Sequence, residues 1–117
     1  MSGEFILIID DSREIVKHLT ESVLPTFGYH TMHAYDGKSG LEIIREKGPD
    51  LVMLDFNLPE MTGLDVLQQM AQESLKTPVV LMTGYGSELS AIEAFRLGAK
   101  DYLIKPFTVD EIVETID

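Results

Sequence analysis

The chain has 117 residues, 44% hydrophobic and 25% charged, which is enough for one domain, 1–117, with a real core and too little for a second. A formal net charge of -11 argues against direct nucleic-acid contact, because phosphate backbones are held by clustered Lys and Arg. The absence of cysteine excludes disulfides and thiolate chemistry, no apolar run approaches the roughly 20 residues of a membrane span, and the opening MSGEF lacks the regions of a signal peptide, which together read as a cytoplasmic domain.

The first apolar run, Phe5 to Ile9, reads as a strand and meets Asp10 and Asp11 at once. Two like charges there repel each other and resist desolvation, so something has to offset their placement. Ile15 to Leu24 has helical spacing and closes at FGY. His30 to Tyr35 reads as a second strand ended by an ordinary turn, YDG. Gly37 to Lys47 reads as a helix closed by KGPD, although Gly40 inside it costs about 1 kcal/mol relative to Ala.

Leu51 to Leu54 is a third strand and runs into Asp55, and Leu64 to Glu73 is the next helix. Pro78 to Met82 is a fourth strand ending at Thr83. In the helix Glu88 to Leu97, the spacing of Ala91, Ile92, Ala94, Phe95 and Leu97 is most simply that of core positions. Tyr102 to Ile104 is the last strand, ending in Lys105 and Pro106. Thr108 to Glu111 matches a capping box that opens a final helix, Val109 to Ile116, whose brevity reads as truncation.

Strands alternating with helices imply an α/β fold, a doubly wound parallel sheet of five strands with helices on both faces. Ligands of such sheets sit beyond the carboxyl ends of the strands. Those ends carry Asp10, Asp11, Asp55, Thr83 and Lys105. Three carboxylates suit a hard divalent cation such as Mg²⁺, which would relieve their repulsion. An ammonium and a hydroxyl suit the oxygens of a phosphoryl group, and a remaining carboxylate can act as its acceptor; Asp55, in the middle strand, is the natural candidate.

The segments LIIDDS, PDLVMLDFNLPEMTGLDVL, VVLMTGYG and GAKDYLIKPF resemble, in order and spacing, the receiver domain of two-component response regulators. The resemblance implies a flavodoxin-like sheet of order 2-1-3-4-5. It implies Asp55 as phosphoacceptor, Asp10, Asp11, Asp55 and the backbone carbonyl of Asn57 around Mg²⁺, and Lys105 and Thr83 on the phosphoryl group. It further implies Thr83 and Tyr102 as a coupled switch, Lys105–Pro106 as a candidate cis bond, and Asn57 and Tyr85 as positions that tune the lifetime of the phosphoprotein. The implied partners are a sensor histidine kinase or a phosphotransfer protein, an output domain fused or separate, and a second copy through the fourth helix, fifth strand and fifth helix.

Plainer readings exist for single residues. Asp11 with Glu14 could be a helix N-cap, Thr83 a turn residue, Lys105–Pro106 a loop closure and Tyr102 a rim aromatic. His18, His30 and His33 are scattered and read as surface or strand residues. An aspartyl-phosphate hydrolase or mutase of haloacid dehalogenase type is the alternative function. It needs a proton-transferring aspartate two residues after the nucleophile, where this chain has Asn57. A flavin module would meet carboxylates in its phosphate loop.

Overall fold

In the computed structural model, residues 4–84 and 88–116 are described, with 88–91 described in backbone alone. The strands are β1 (Phe5–Ile9), β2 (His30–Ala34), β3 (Leu51–Asp55), β4 (Val79–Thr83) and β5 (Asp101–Ile104). All pair in parallel, in the order β2-β1-β3-β4-β5. This is the five-stranded 2-1-3-4-5 sheet expected from the resemblance. β3 and β4 are buried at every position, as strands covered on both faces should be.

The first helix, α1, is built from three consecutive stretches, Arg13–Lys17, a π-helical His18–Val23 and Leu24–Thr26. Spacing alone predicts a plain helix over Ile15 to Leu24; the π stretch comes just before Pro25, which has no N–H to continue the ladder. The remaining helices are α2 (Gly37–Lys47), α3 (Gly63–Gln72), α4 (Glu88–Arg96) and α5 (Val109–Ile116). Gly48 ends α2 in the left-handed region, with φ 56°, as the KGPD signal requires. Thr108 and Glu111 make the reciprocal capping contacts in front of α5, 3.1 and 3.2 Å.

The helices divide by sheet face. Val16, Leu19, Val23 and Leu24 of α1 and Ile112 of α5 pack on Ile6, Ile8, Met53, Val80 and Met82. Leu41 and Ile44 of α2, Val66, Leu67 and Met70 of α3 and Ala94 of α4 cover Leu7, Ile9, Val52, Leu54 and Leu81. Alternate residues of each central strand therefore feed two separate apolar layers.

Ile92 and Phe95 depart from the core reading. Among the described side chains of that helical set only Ala94 is fully buried, Leu97 is partly buried, and Ile92 and Phe95 are 51% and 42% exposed. A nine-residue helix over a narrow sheet edge buries one line of side chains, and apolar spacing does not distinguish that line from its neighbours. Ala91 lies among the residues described in backbone alone.

Candidate functional site

Three polar side chains are buried among the described residues, and all are at carboxyl ends of strands: Asp10 after β1, Asp55 closing β3 and Thr83 closing β4. Burying them costs solvation that must be recovered by partners. Lys105, just past β5, reaches back over the strand ends and places its Nζ 2.9 Å from Asp10 Oδ2 and 3.2 Å from Asp55 Oδ1. Its backbone N–H donates to the Thr83 carbonyl at 2.6 Å, which ties the lysine to the end of β4. The Lys105–Pro106 peptide bond is cis.

Asp11 is exposed beside this pair, and oxygens of Asp10, Asp11 and Asp55 lie within 4.8 Å of one another. Asp11 does not cap α1. That place belongs to Ser12, whose hydroxyl accepts from the Ile15 N–H at 3.3 Å, and the Ser12 N–H in turn donates to Asp10 Oδ1 at 2.9 Å. The plain helix-cap reading of Asp11 is thereby replaced: the neighbouring serine satisfies the helix and leaves the Asp11 carboxylate at the acidic cluster.

Burial, then the Asp10 charge, pushes the Asp55 carboxyl above its ordinary value, against the pull of Lys105 and the Asn57 N–H. Burial depresses the Lys105 ammonium, but the hydrogen bond and charge of Asp10, joined by Asp55, more than compensate and carry it upward. One ammonium thus stands between two buried carboxylates, with a third at the rim. This all-oxygen, net-negative donor set fits a hard divalent cation.

The other residues singled out from sequence fall around this centre. Asn57 is exposed, and its N–H donates to Asp55 Oδ1 at 3.3 Å. Tyr102 is not in the pocket; it is 40% exposed and meets Phe95 edge-on, ring centroids 5.9 Å apart. Tyr85 lies outside the described residues. His18, His30 and His33 are all exposed.

Two supporting residues had no functional signal in the sequence. Gly63 opens α3 directly against β3: a Cβ there would stand 2.8 Å from the Asp55 carbonyl oxygen and 2.9 Å from Phe56 Cα. Arg13, two residues past Asp11, lays its guanidinium 4.1 Å from the centroid of the Tyr35 ring, a cation–π contact between the start of α1 and the end of β2. Glycine at a helix start and arginine in an exposed turn are too common to be noticed without the contacts.

A five-stranded parallel sheet carries an acidic cluster at the ends of β1 and β3 and a lysine reaching it from beyond the edge strand β5. The chain belongs to the response regulator receiver domain family, which it matches over residues 6–117. It is 39% identical over 107 residues to the regulatory protein AtoC of Escherichia coli K12, covering 92% of this chain and 23% of AtoC. It is 39% identical over 111 residues to the transcriptional regulatory protein CpxR of Klebsiella pneumoniae, covering 95% of this chain and 47% of CpxR. The crystal structure of a response regulator receiver domain protein from Clostridium thermocellum superposes with a TM-score of 0.89 at 30% identity, over 97% of this chain and 90% of that one. The chain therefore spans about a quarter to a half of the length of these regulators. No helix among the described residues is long and apolar enough to cross a membrane.

Proposed function

We propose that this receiver is a phosphorylation-dependent signalling switch in which Asp55 accepts the phosphoryl group. The observation that carries the reading is the position of Asp55: it closes the central strand β3, nearly buried, with Lys105 Nζ at 3.2 Å and two further carboxylates within reach. A buried carboxylate whose ionisation is opposed by desolvation and a neighbouring charge, at the carboxyl edge of a parallel sheet, is the kind of perturbed group that functional sites carry.

The donor is a phosphohistidine on a sensor kinase or phosphotransfer protein. An Asp55 carboxylate oxygen attacks phosphorus, the P–O bond forms as the P–N bond breaks, and the electron pair returns to the departing imidazole. Lys105 supplies a fixed positive charge next to the oxygens that gain negative character, and the Thr83 hydroxyl, at the end of the adjacent strand, is the neutral donor for one of them. Mg²⁺ held by Asp10, Asp11, Asp55 and the Asn57 carbonyl supplies charge neutralisation when bound. Asn57 cannot take or give a proton as an aspartate would, which favours storage of the phosphoryl group over fast hydrolysis. Tyr85 is assigned the second lifetime-tuning position.

Nearly two added negative charges at Asp55 draw Thr83 toward the phosphoryl group, and Tyr102 follows, altering the face formed by α4, β5 and α5. That face carries the exposed Ile92, Phe95, Tyr102, Ile104 and Val109, which suits it to a second copy or an output domain. The chain acts in the cytoplasm as the receiver unit of a longer regulator. The test is direct: incubation with acetyl phosphate and Mg²⁺ adds the mass of one phosphoryl group, hydroxylamine removes it, and Asp55→Asn shows no gain. An unchanged wild-type mass would overturn the proposal.

A further inference from the structure

The aromatic pair Phe95–Tyr102 joins a residue of the proposed switch to the exposed face through side chains. The rings meet edge to face, centroids 5.9 Å apart and planes 71° apart, the geometry in which the positive edge of one ring meets the negative face of the other. Both rings are only partly covered, 42% exposed for Phe95 and 40% for Tyr102. Phe95 is on the outer surface of α4, where Ala94 beside it takes the buried position. Tyr102 pairs with Leu81, and Ile104 with Thr83, so Tyr102 and Thr83 project from the same face of the sheet, two residues apart in register.

We infer that Phe95 is a positioning residue that holds Tyr102 in its half-exposed place and so sets the threshold of the switch. The inference rests on the reading of Thr83 and Tyr102 given above. Its physical basis is asymmetric. A Tyr102 ring withdrawn toward the sheet loses the edge contact, and Phe95, anchored on the outside of a helix whose buried line is occupied by Ala94, does not follow it. The pair therefore stabilises the outward arrangement alone. An aromatic pair of this kind biases a two-state equilibrium by about two- to tenfold. Since a phosphoryl group need then only outweigh that bias, the residue at position 95 tunes how readily the domain fires without touching the acceptor pocket.

The experiment uses 3-fluorotyrosine-labelled protein, with the Tyr102 resonance identified by its loss in Tyr102→Ala. Phe95→Leu keeps an apolar, helix-forming residue at an exposed site but removes the ring; Phe95→Tyr keeps the ring. The expected result is that Phe95→Leu makes the Tyr102 resonance less sensitive to a soluble gadolinium chelate and raises the rate of Asp55 phosphorylation by acetyl phosphate about two- to tenfold, while Phe95→Tyr behaves as wild type. In the Tyr102→Ala background Phe95→Leu should change nothing. Unaltered gadolinium sensitivity, or a rate change of equal size with and without Tyr102, would overturn the inference. If wild-type protein takes up no phosphoryl group, the reading of the acceptor site falls, and the positioning role is decided on the fluorine resonance alone.

Discussion

Lys105 is the residue on which the pocket's electrostatics turn. Its ammonium is shared between Asp10 and Asp55, whose side chains are 0% and 5% exposed. Removing it with Lys105→Met leaves two buried carboxylates facing each other. The expected loss is about 1–3 kcal/mol in metal-free denaturant melts at neutral pH, below the cost of breaking a fully buried pair because Lys105 itself is 25% exposed. The opposite sign is expected at Asp55. Burial and the Asp10 charge both oppose an ionised Asp55, so Asp55→Asn should raise the melting temperature in metal-free buffer at pH 7. A lower melting temperature for Asp55→Asn would mean that its ion pair with Lys105 outweighs those costs. These charges were legible in the chain because each is the first polar residue after an apolar strand. Ser12 was not: a serine next to two aspartates gives no hint that it, and not Asp11, closes the helix start.

At the scale of elements, glycine explains what propensity leaves puzzling. Gly40 is a liability inside α2 by composition alone, yet a Cβ there would run into Ile9 Cδ1 and come 2.8 Å from Ile9 Cγ1. The helix approaches β1 that closely only because the side chain is missing. Gly63 is tighter in consequence, since its neighbours are the backbone atoms of Asp55 and Phe56, which cannot rotate away. Gly63→Ala should cost about 1–3 kcal/mol, more than Gly40→Ala, and slow phosphorylation by displacing the end of β3; calorimetry and intact-mass kinetics check both.

On the outer side, Arg45 of α2 grips Glu73 at the end of α3 with Nε 2.7 Å from Oε1, and this hydrogen bond, helped by Gln69, holds the Glu73 carboxyl down to about 2. A depressed carboxylate contributes stability above its ordinary value of 4.5 and loses it as pH falls toward about 2. Arg45→Met should therefore melt below wild type at pH 6 and match it near pH 2. Strand positions were readable from apolar runs, whereas the π stretch in α1 and the exposed side of α4 were not. Periodicity records which residues are apolar and is silent on one extra residue per turn or on how wide the covered sheet is.

For the whole molecule, a net charge of -11 means the folded chain repels itself, and the acidic cluster concentrates that repulsion. Millimolar Mg²⁺ should stabilise the fold by ligand linkage, by roughly 2.7 kcal/mol at a hundredfold excess over the dissociation constant, and so raise the melting temperature well beyond NaCl at equal ionic strength. Asp11→Asn should abolish most of the difference between the two salts, because it removes a carboxylate from the cluster without disturbing the α1 cap on Ser12. A preserved difference would place the cation elsewhere.

The bond from Lys105 to Asp10 joins positions 95 residues apart, and in the sheet β3 and β4 stand between their strands. The positive charge that the aspartates require is thus delivered late in synthesis, after the residues of all five strands. A polypeptide halted or clipped ahead of Lys105 would hold its acidic residues without their counter-ion. Assembly of the charged cluster is in this way coupled to completion of the chain as far as Lys105.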